Sequence, residues 1–297
     1  MKTGEIKQLF DHFETLKVLV IGDVMIDAYL WGKVERISPE APVPVVSVTH
    51  RENRLGGAAN VGLNLKSLGA IPLMCSVIGN DEKGKLFLEL MQKEGLSTQG
   101  IMSHPSRKTT VKSRVISHGQ HLLRVDDEMD SNLPEDTANQ FSQHILSLLK
   151  SEKPNAIVFE DYDKGCLSKS TIKQIVDEAN KMNIPTLVDP KKRNFLHYRG
   201  VTLFKPNFKE LTEGMKLEIS KSDFDQIEKA SAKFRLDMNI KYTLITLSEH
   251  GMYIGGSECS HHLPAEIRDI ADVSGAGDTV VSVASLCLAS GITPYQL

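Results

Sequence analysis

The chain has 297 residues, of which 40% are hydrophobic, and its 35 basic and 38 acidic residues leave a formal net charge of −3. This length and composition predict one globular α/β unit with a large core. The sequence carries no basic run of the kind that binds nucleic acid or an anionic membrane surface. An anionic ligand would therefore have to be met by a local site.

The cysteines and the N-terminal segment bear on the compartment. The four cysteines are widely separated and form no CxxC pair, which argues against a zinc site and a disulfide framework. Residues 1–17 are charged and amphipathic, unlike a signal peptide, and the longest apolar stretch, 280–289, is too short to span a bilayer. These features predict a cytoplasmic protein that does not associate with membranes.

Short β-branched runs alternate with longer amphipathic stretches along the chain. This alternation predicts an α/β fold in which helices cover a mostly parallel sheet. The predicted strands are 17–21, 71–77, 156–159, 185–188, 202–204 and 242–247, and the predicted helices are 58–68, 82–94, 135–149, 169–181 and 223–235.

The first predicted strand ends in the acidic segment GDVMID, which contains Asp23 and Asp27. Ligands of open α/β sheets bind beyond the carboxyl ends of the strands, where carboxylates can accept hydrogen bonds from sugar hydroxyls. We predict that Asp27 contacts a ligand. For Asp23, the capping of a turn is an equally simple alternative.

Two stretches, 30–48 and 109–125, interrupt the alternation with extended, half-polar sequence. The first is rich in proline, and the second alternates about a turn at His118-Gly119. We predict that they form a small β-flap, or lid, beside the main sheet. Because exposed strand edges need a partner, the flap would cover a substrate or form a sheet between two subunits.

A glycine pair, Gly56 and Gly57, stands directly before the predicted helix 58–68, and Asn60 lies in the first turn of that helix. Glycine permits a ligand to approach the backbone closely, and the asparagine amide offers both a donor and an acceptor. The segment predicts a ligand contact, although a glycine pair before a helix is also typical of a simple turn.

Two segments that combine acidic and basic residues, 161–165 and 189–192, follow predicted strands in the middle of the chain. Both belong at the same sheet edge as Asp27 if the strands are parallel. Lys164 and Lys191 are therefore candidate contacts to a charged substrate. The alternative is that they are solvated surface charges.

An amide and a carboxylate, Asn207 and Glu210, stand three residues apart after Lys205-Pro206. On one face of a helical turn, such oxygen ligands suit a water-rich magnesium site near nucleotide phosphates. The same spacing is equally typical of a helix N-cap with a capping box.

The segment DVSGAGD at 272–278 is the most informative in the chain, and it opens into a long apolar run. Small residues at a helix start let backbone N–H groups approach an anion at the positive end of the helix dipole. Phosphoryl transfer needs such a cradle and an acceptor for the proton of the attacking hydroxyl. Gly275, Ala276 and Gly277 are candidates for the cradle and Asp278 for the acceptor, unless Asp278 merely caps the helix.

In this order and spacing, the GGAAN, NFKE and DVSGAGD segments resemble those of the PfkB, or ribokinase-like, carbohydrate kinases over the whole chain. More narrowly, GDVMID at 22–27, RISPEAPVPVV at 36–46 and LGGAANV at 55–61 resemble the heptose 7-phosphate kinase domains of ADP-heptose synthesis. The resemblance implies a single ribokinase-like domain over 1–297 with three α/β/α layers. It also implies Mg²⁺-assisted transfer of phosphate from ATP to the anomeric hydroxyl of D-glycero-D-manno-heptose 7-phosphate, on the route to lipopolysaccharide core heptose.

Carried over by motif, the resemblance makes Asp278 the base and residues 275–277 the anion hole. Magnesium would be organised, indirectly, by Asn207 and Glu210. The implied sugar contacts are Asp27, Gly56, Gly57 and Asn60, and the implied nucleotide contacts are Asn207, Glu210, Thr246, Ser248, Gly251 and Asp272. The candidate cations for the phosphate of the sugar, which the pattern does not rank, are Lys112, Arg114, Arg124, Lys164 and Lys191.

Two departures from the family pattern modify these expectations. The chain ends at Leu297, whereas family members continue with a helix and a strand that help wall the adenine pocket, so we expect the C-terminal part of the family domain to be missing. The bifunctional relatives also carry a nucleotidyltransferase domain with an HxGH signature, which the sequence at 118–121 does not match. We therefore expect the kinase step alone.

Three hypotheses remain open: a heptose-phosphate kinase, a kinase of the same fold for another sugar or a nucleoside, and a non-catalytic nucleotide or sugar binder. The RISPEAPVPVV segment argues against the second. The presence of Asp278, Asn207 and Glu210 argues against the third. In the favoured hypothesis the protein is a homodimer that pairs through the β-flap.

Overall fold

Two sheets organise the chain in the computed structural model, which describes residues 3–258, 260–266 and 275–292. The strands are β1 (Lys17–Gly22), β2 (Val24–Ile37), β3 (Pro44–Gly57), β4 (Ile71–Gly79), β5 (Ser97–His104), β6 (Val111–Ser117), β7 (Gln120–Asp127), β8 (Ala156–Glu160), β9 (Thr186–Asp189), β10 (Leu203–Phe204), β11 (Tyr242–Thr246), β12 (Met252–Gly255) and β13 (Ser260–Leu263). The helices are α1 (Thr3–Phe13), α2 (Ala58–Ser67), α3 (Glu82–Lys93), α4 (Glu135–Glu152), α5 (Lys169–Lys181), α6 (Phe208–Met215), α7 (Phe224–Met238) and α8 (Ala276–Ala289).

The larger sheet has nine strands in the order β13-β12-β11-β10-β9-β8-β1-β4-β5. From β11 to β5 all neighbours are parallel, while β12 and β13 add an antiparallel edge. The mostly parallel sheet predicted from the sequence is therefore confirmed. Because the strands are parallel, their carboxyl ends lie along one edge of the sheet, where ligands of such folds bind.

Helices cover both faces of this sheet, which gives three layers. The alternating residues of β1 show this, since Val18 and Val20 belong to one buried cluster and Leu19 and Ile21 to the other. Helices α2 and α8 supply residues to the first cluster, and α4, α5 and α7 supply residues to the second. The packing of α2 beside α8 matters most, because it brings the start of one helix next to the start of the other.

The smaller sheet has four strands in the order β3-β2-β6-β7. The long hairpin of β2 and β3 is antiparallel, β6 runs parallel to β2, and β7 pairs antiparallel with β6 about a turn at His118-Gly119. The ranges 30–48 and 109–125, interpreted as a lid, contain parts of all four strands and the turns between them, although β2 begins earlier, at Val24. We call this sheet the lid.

Several elements were not predicted from the sequence. The strand β5, with the polar sequence STQGIMSH, lacks a β-branched run and forms because it pairs with the edge of β4. The short helix α6 and the antiparallel strand β12 were also missed. Among the described helices, none is both long and apolar enough to cross a membrane.

Candidate active site

Polar residues collect at the carboxyl edge of the larger sheet. Asp23 directly follows β1, and Lys205 directly follows β10. Glu160 and Asp189 are the last residues of β8 and β9. Because β8 and β9 are parallel neighbours and Glu160 pairs with Asp189 in their register, these two acids lie side by side. The start of α8 lies over the same edge and adds Asp278.

Asp278 is buried, with 7% of its surface exposed, and two neutral donors hold its carboxylate. Asn60 Nδ2 donates to Oδ2 at 2.6 Å, and the Tyr162 hydroxyl donates to Oδ1 at 3.2 Å. Burial raises the pKa of Asp278; the Asn60 and Tyr162 hydrogen bonds oppose the rise, whereas the nearby Asp189 charge adds to it. The carboxylate is oriented by groups that cannot neutralise it, which suits a proton acceptor.

Three buried carboxylates, those of Glu160, Asp189 and Asp278, bring one oxygen each within 4.8 Å of one another. Glu160 Oε2 is buried without a hydrogen-bond partner in the described part of the chain. Burial and the charges of the other two acids raise the pKa of Glu160 well above its usual value. Buried Lys205 balances part of this charge through an ion pair of 2.6 Å with Asp189. Such a donor set fits a hard divalent cation such as Mg²⁺.

The helix α8 begins with the residues of the predicted anion cradle. Gly275 is its N-cap, with φ +80°, a conformation that favours glycine. At Gly277 an added Cβ would lie 3.4 Å from Lys205 Nζ and 3.5 Å from Asp189 Oδ2. The first turn of α8 therefore lies close to Lys205, and the N–H groups at the start of a helix, which have no partner within the helix, can join this lysine in binding an anion.

A cavity of about 450 Å³ opens between this site and the lid. Of the predicted sugar contacts, Asp27, Gly57 and Asn60 line it. Gly56 lies beneath Asp27, since a Cβ at Gly56 would meet Asp27 Oδ2 at 2.2 Å. The remaining lining residues are Met25, Tyr29, Arg54, Leu55, Lys112, Arg114, Arg124, Tyr162, Gly275 and Asp278.

The register of the lid strands gathers four cations on the cavity face. Asp27 of β2 lies opposite Arg54 of β3 and opposite Lys112 of β6. Arg114 of β6 lies opposite Arg124 of β7, although like charges directly across a sheet destabilise it unless an anion joins them.

Carboxylates and an aromatic ring hold these cations. Arg114 Nη1 donates to Asp27 Oδ1 at 2.5 Å, and Arg124 pairs with Asp126 at 2.8 Å. The Tyr29 ring lies 5.0 Å from the Arg54 guanidinium and 5.4 Å from that of Arg114. Two planar guanidinium groups are therefore fixed at the cavity wall, in the geometry that favours phosphate.

Asn207 and Glu210 form a capping box at the start of α6. Asn207 Oδ1 accepts from the Glu210 N–H at 2.8 Å, and Glu210 Oε2 accepts from the Asn207 N–H at 2.8 Å. The second oxygen, Glu210 Oε1, pairs with Lys191 at 2.5 Å. The alternative of an N-cap with a capping box thus describes the local bonds of Asn207 and Glu210. The Glu210 carboxylate also contacts Lys191, which lies beside the cluster of three acids.

Lys191 lies between the acids of the sheet edge and the ring of Tyr162. Its Nζ lies 3.8 Å from Asp189 Oδ1 and 5.7 Å from the centre of the Tyr162 ring. Although burial opposes the charged form, the charges of Asp189 and Glu210 raise the pKa of Lys191. Lys164, by contrast, pairs with Glu128 at 2.7 Å, beside the wall of the cavity.

The predicted outer nucleotide contacts lie at the end of β11, next to Asn207. Thr246 forms a parallel bridge with Asn207, Ser248 has φ +56°, and Gly251 closes the following turn with φ +83°. At Gly251 a Cβ would meet the Leu263 carbonyl at 2.0 Å, so only glycine fits this turn. The predicted contact Asp272 lies outside the described residues.

Sequence reasoning missed Glu160, Lys205, Arg54 and the roles of the two tyrosines. Glu160 and Lys205 each stand at the end of a buried strand, and this position is a signal that could have singled them out. Arg54 and Tyr29 carry no such signal, because only the pairing of β2 with β3 and β6 brings them to one wall.

Chemically, the arrangement joins a hydroxyl site to an anion site. A hydroxyl in the cavity beside Asp278 can give its proton to that carboxylate, while the α8 N-terminus, Lys205 and Lys191 face the incoming phosphoryl charge. When bound, Mg²⁺ would neutralise phosphate charge, and Glu160 and Asp189 are the residues placed to hold it.

Solved structures share this fold at low sequence identity. Phosphofructokinase-2 from Escherichia coli in complex with fructose-6-phosphate aligns with a TM-score of 0.73 and 19% identity, over 94% of this chain and 88% of that chain. Ribokinase from Arabidopsis thaliana complexed with ribose and ATP aligns with a TM-score of 0.69 and 17% identity, over 94% and 87%. The ribokinase-like α/β fold is therefore confirmed.

Sequence comparison gives a nearer relative and a family. The bifunctional protein HldE of Geobacter sulfurreducens is 37% identical over 294 residues, which cover 98% of this chain and 59% of the relative. The chain thus spans less than two thirds of that relative's length. Residues 15–294 match the pfkB family carbohydrate kinase profile. A match over this much of the chain shows that it belongs to the pfkB family of carbohydrate kinases.

Proposed function

We propose that the chain transfers the γ-phosphate of ATP to the anomeric O1 of D-glycero-D-manno-heptose 7-phosphate and gives the 1,7-bisphosphate. The observation that carries the proposal is a single cavity lined both by the buried carboxylate of Asp278 and by the guanidinium groups of Arg54, Arg114 and Arg124. The similarity to HldE supports a sugar of the ADP-heptose pathway.

The sugar phosphate is proposed to bind at the lid. Arg54 and Arg114, both held by Tyr29, supply planar donors, and Lys112 and Arg124 add positive charge. An anion between Arg114 and Arg124 would relieve their repulsion across the strands. A sugar that carries a phosphate at the end remote from its reacting hydroxyl satisfies both ends of the cavity.

The nucleotide and Mg²⁺ are proposed to bind at the other side of Asp278. The α8 N-terminus with Gly275, Ala276 and Gly277 faces the transferred group, and Lys205 and Lys191 lie beside it. The carboxylates of Glu160 and Asp189 at this edge of the sheet support a divalent cation, while Asp278 of the same cluster is kept for the proton of the sugar hydroxyl.

The experiment is an ADP-release assay of the purified chain with ATP and Mg²⁺. The acceptors are heptose 7-phosphate, fructose 6-phosphate, ribose and adenosine, at concentrations from well below to well above millimolar. We expect turnover selective for heptose 7-phosphate, by at least about tenfold in kcat/KM over fructose 6-phosphate, because the pocket is built around a remote phosphate.

Preference for another acceptor would replace the heptose assignment and keep the kinase assignment. Absence of turnover with every acceptor, in a preparation that binds heptose 7-phosphate by calorimetry, would contradict the kinase assignment and favour a sugar binder.

A further inference from the structure

The loop that follows β8, residues 161–166, carries one of the two donors that hold Asp278. Its Tyr162 hydroxyl donates to Asp278 Oδ1 at 3.2 Å. A tyrosine at the tip of a loop keeps a hydroxyl in place only if the backbone of that loop is itself held. The fixing of this loop therefore decides how well the proton acceptor is oriented.

The buried carboxylate of Asp23 holds three backbone N–H groups of this loop, and the buried carboxylate of Asp161 holds a fourth, that of Asp163, at 2.9 Å. Asp23 Oδ2 accepts from the N–H of Tyr162 at 2.9 Å and from that of Lys164 at 3.1 Å. Asp23 Oδ1 accepts from the N–H of Cys166 at 3.0 Å. Asp23 is 3% exposed, so three N–H groups replace the water that an ionised carboxylate would otherwise need.

The main chain of Asp23 bonds to the first residue of α2, the helix that carries Asn60, the other donor to Asp278. The Asp23 N–H donates to the Glu160 carbonyl at 3.2 Å, and the Asp23 carbonyl accepts from the Ala58 N–H at 3.0 Å. Ala58 is the first residue of α2, which carries Asn60 two residues later. Both donors to the proton acceptor are thus tied to the same residue at the end of β1.

A buried guanidinium holds the loop from its opposite side. Arg107 Nη2 donates to the Lys164 carbonyl at 2.6 Å, and Nη1 donates to the Ser131 carbonyl at 2.9 Å. Arg107 is 7% exposed. The loop is therefore held between a negative and a positive side chain. Both charges are buried, so removing either one leaves the other with less electrostatic compensation.

We propose that Asp23 is a positioning residue for phosphoryl transfer, which acts by holding loop 161–166 so that the Tyr162 hydroxyl stays on Asp278. The inference rests on the proposed function, in which Asp278 accepts the proton of the sugar hydroxyl. It predicts that Asp23 and Tyr162 affect turnover through one shared step, although the bonds of the Asp23 carboxylate go to the loop and Asp23 is not among the residues that line the cavity.

The kinetic test is a double-mutant cycle in the full chain with Asp23→Asn and Tyr162→Phe. An asparagine keeps one oxygen but loses the second acceptor, so we expect kcat to fall about 10- to 100-fold. Tyr162→Phe should lower kcat about 10-fold, and the KM values for ATP and sugar should stay within about threefold in both variants. The double variant should be no slower than Asp23→Asn alone, because the hydroxyl is already misplaced.

Two further variants separate positioning from folding. Arg107→Lys loosens the same loop without removing charge, and its effect on kcat should also vanish in the Tyr162→Phe background. Asp81→Asn is the matched control, because the Asp81 carboxylate accepts from the N–H of Gly84 and of Thr109 and caps α3. Asp81→Asn should lower the melting temperature and change kcat by no more than about twofold. Combined with Tyr162→Phe, its effect on kcat should be independent, so that the two fold-changes multiply.

Crystal structures of Asp23→Asn and Asp81→Asn give a readout that is independent of the sugar. We expect the Tyr162 hydroxyl to leave hydrogen-bond distance of Asp278 in the first variant and to stay in the second. Independent, multiplying effects of Asp23→Asn and Tyr162→Phe on kcat, or a Tyr162 hydroxyl that stays in place, would overturn the proposal. If the parent turns over none of the sugars, the proposed function fails and the crystal structures alone decide this inference.

Discussion

Asp278 lies in a place where an ionised carboxylate is costly, since it is buried beside Glu160 and Asp189. Three neighbouring buried carboxylates are unfavourable in a core that serves only stability, so their presence is explained if each acid has a function. We therefore propose proton acceptance for Asp278, which lines the cavity, and cation binding for the other two acids, which end neighbouring strands.

The first prediction at the scale of single residues concerns Asp278→Asn. The amide keeps the shape but accepts a proton poorly, so kcat should fall about 10²- to 10⁴-fold while the dissociation constants of ATP and sugar change little. Single-turnover kinetics and calorimetry measure the two quantities separately. Turnover equal to that of the parent would remove Asp278 from the mechanism.

The second prediction uses the raised pKa of Glu160. The folded chain holds this proton more tightly than an unfolded glutamate does. The contribution of the bound proton to the free energy of unfolding is therefore complete below the ordinary glutamate pKa, and it is lost as the pH rises through the raised pKa of the folded chain. Glu160→Gln mimics the protonated form. It should raise the free energy of unfolding at neutral pH, by about 1.4 kcal/mol for each unit of pKa difference, with no gain near pH 4.

Urea unfolding at several pH values measures this difference. Glu152→Gln is the control, because its exposed partner Lys17 lowers the pKa of Glu152, so that this substitution should not stabilise at neutral pH. A Glu160→Gln gain that is independent of pH would show that the effect is packing and not the proton.

The third prediction concerns the phosphate subsite. Arg114→Lys keeps the charge but removes the planar fork, so the KM for the sugar phosphate should rise about 10- to 100-fold, with kcat within about threefold. Arg51→Lys, on β3 and away from this cavity, is the matched control. Equal KM values in parent and Arg114→Lys would place the phosphate elsewhere.

At the scale of elements, α2 and α8 were predicted from the sequence as helices but not as neighbours. Their existence and the alternating strands were predicted, because hydrophobic period and glycine positions are local signals. Their close packing was not, because it depends on which face of the sheet each helix covers. Asn60 and Asp278 were therefore singled out separately, and their 2.6 Å hydrogen bond appears only in the fold.

The same limit explains the residues that were missed. Strand ends are visible in the sequence, but the order β10-β9-β8-β1 that gathers Lys205, Asp189 and Glu160 at one edge is a long-range property. The candidate phosphate cations were named without rank, since only the fold places Arg114 on the wall of the cavity and Lys164 of loop 161–166 against Glu128.

Two glycines that flank α8 allow a test of this element. Gly275 and Gly291 both have positive φ, +80° and +74°. A Cβ at Gly275 would lie 2.9 Å from Asn60 Nδ2, whereas at Gly291 it would meet nothing within 4 Å. Both alanine variants should lose about 1 kcal/mol of stability, and only Gly275→Ala should lower kcat as well, about 10-fold or more.

Steady-state kinetics at a temperature well below both melting transitions makes the comparison. If Gly291→Ala lowered kcat as much as Gly275→Ala, the effect would belong to helix stability and not to the contact with Asn60.

At the scale of the whole molecule, the lid leaves apolar side chains exposed. Leu123 and Val125 on its edge strand β7 are 56% and 49% exposed. An edge strand with such residues is a natural pairing surface. We therefore propose that the protein is a homodimer that pairs through the lid, which would also stiffen the wall that holds the phosphate cations.

The double substitution Leu123→Lys with Val125→Lys should produce monomers in sedimentation velocity experiments, because buried like charges repel across a symmetric interface. Leu236→Lys is the control, since Leu236 of α7 is 83% exposed and lies outside the lid. A dimer that survives the lid substitutions would refute this interface.

The most direct measurement of the central claim is the identity of the phosphorylated position, by ³¹P–¹H correlation NMR of the product. Heptose 7-phosphate, ATP and Mg²⁺ would be incubated with the parent chain and with Asp278→Asn side by side. We predict a new phosphate coupled to the anomeric proton with the parent and about 10²-fold less or none with the variant. A phosphate at another carbon, or equal product from both proteins, would contradict the account.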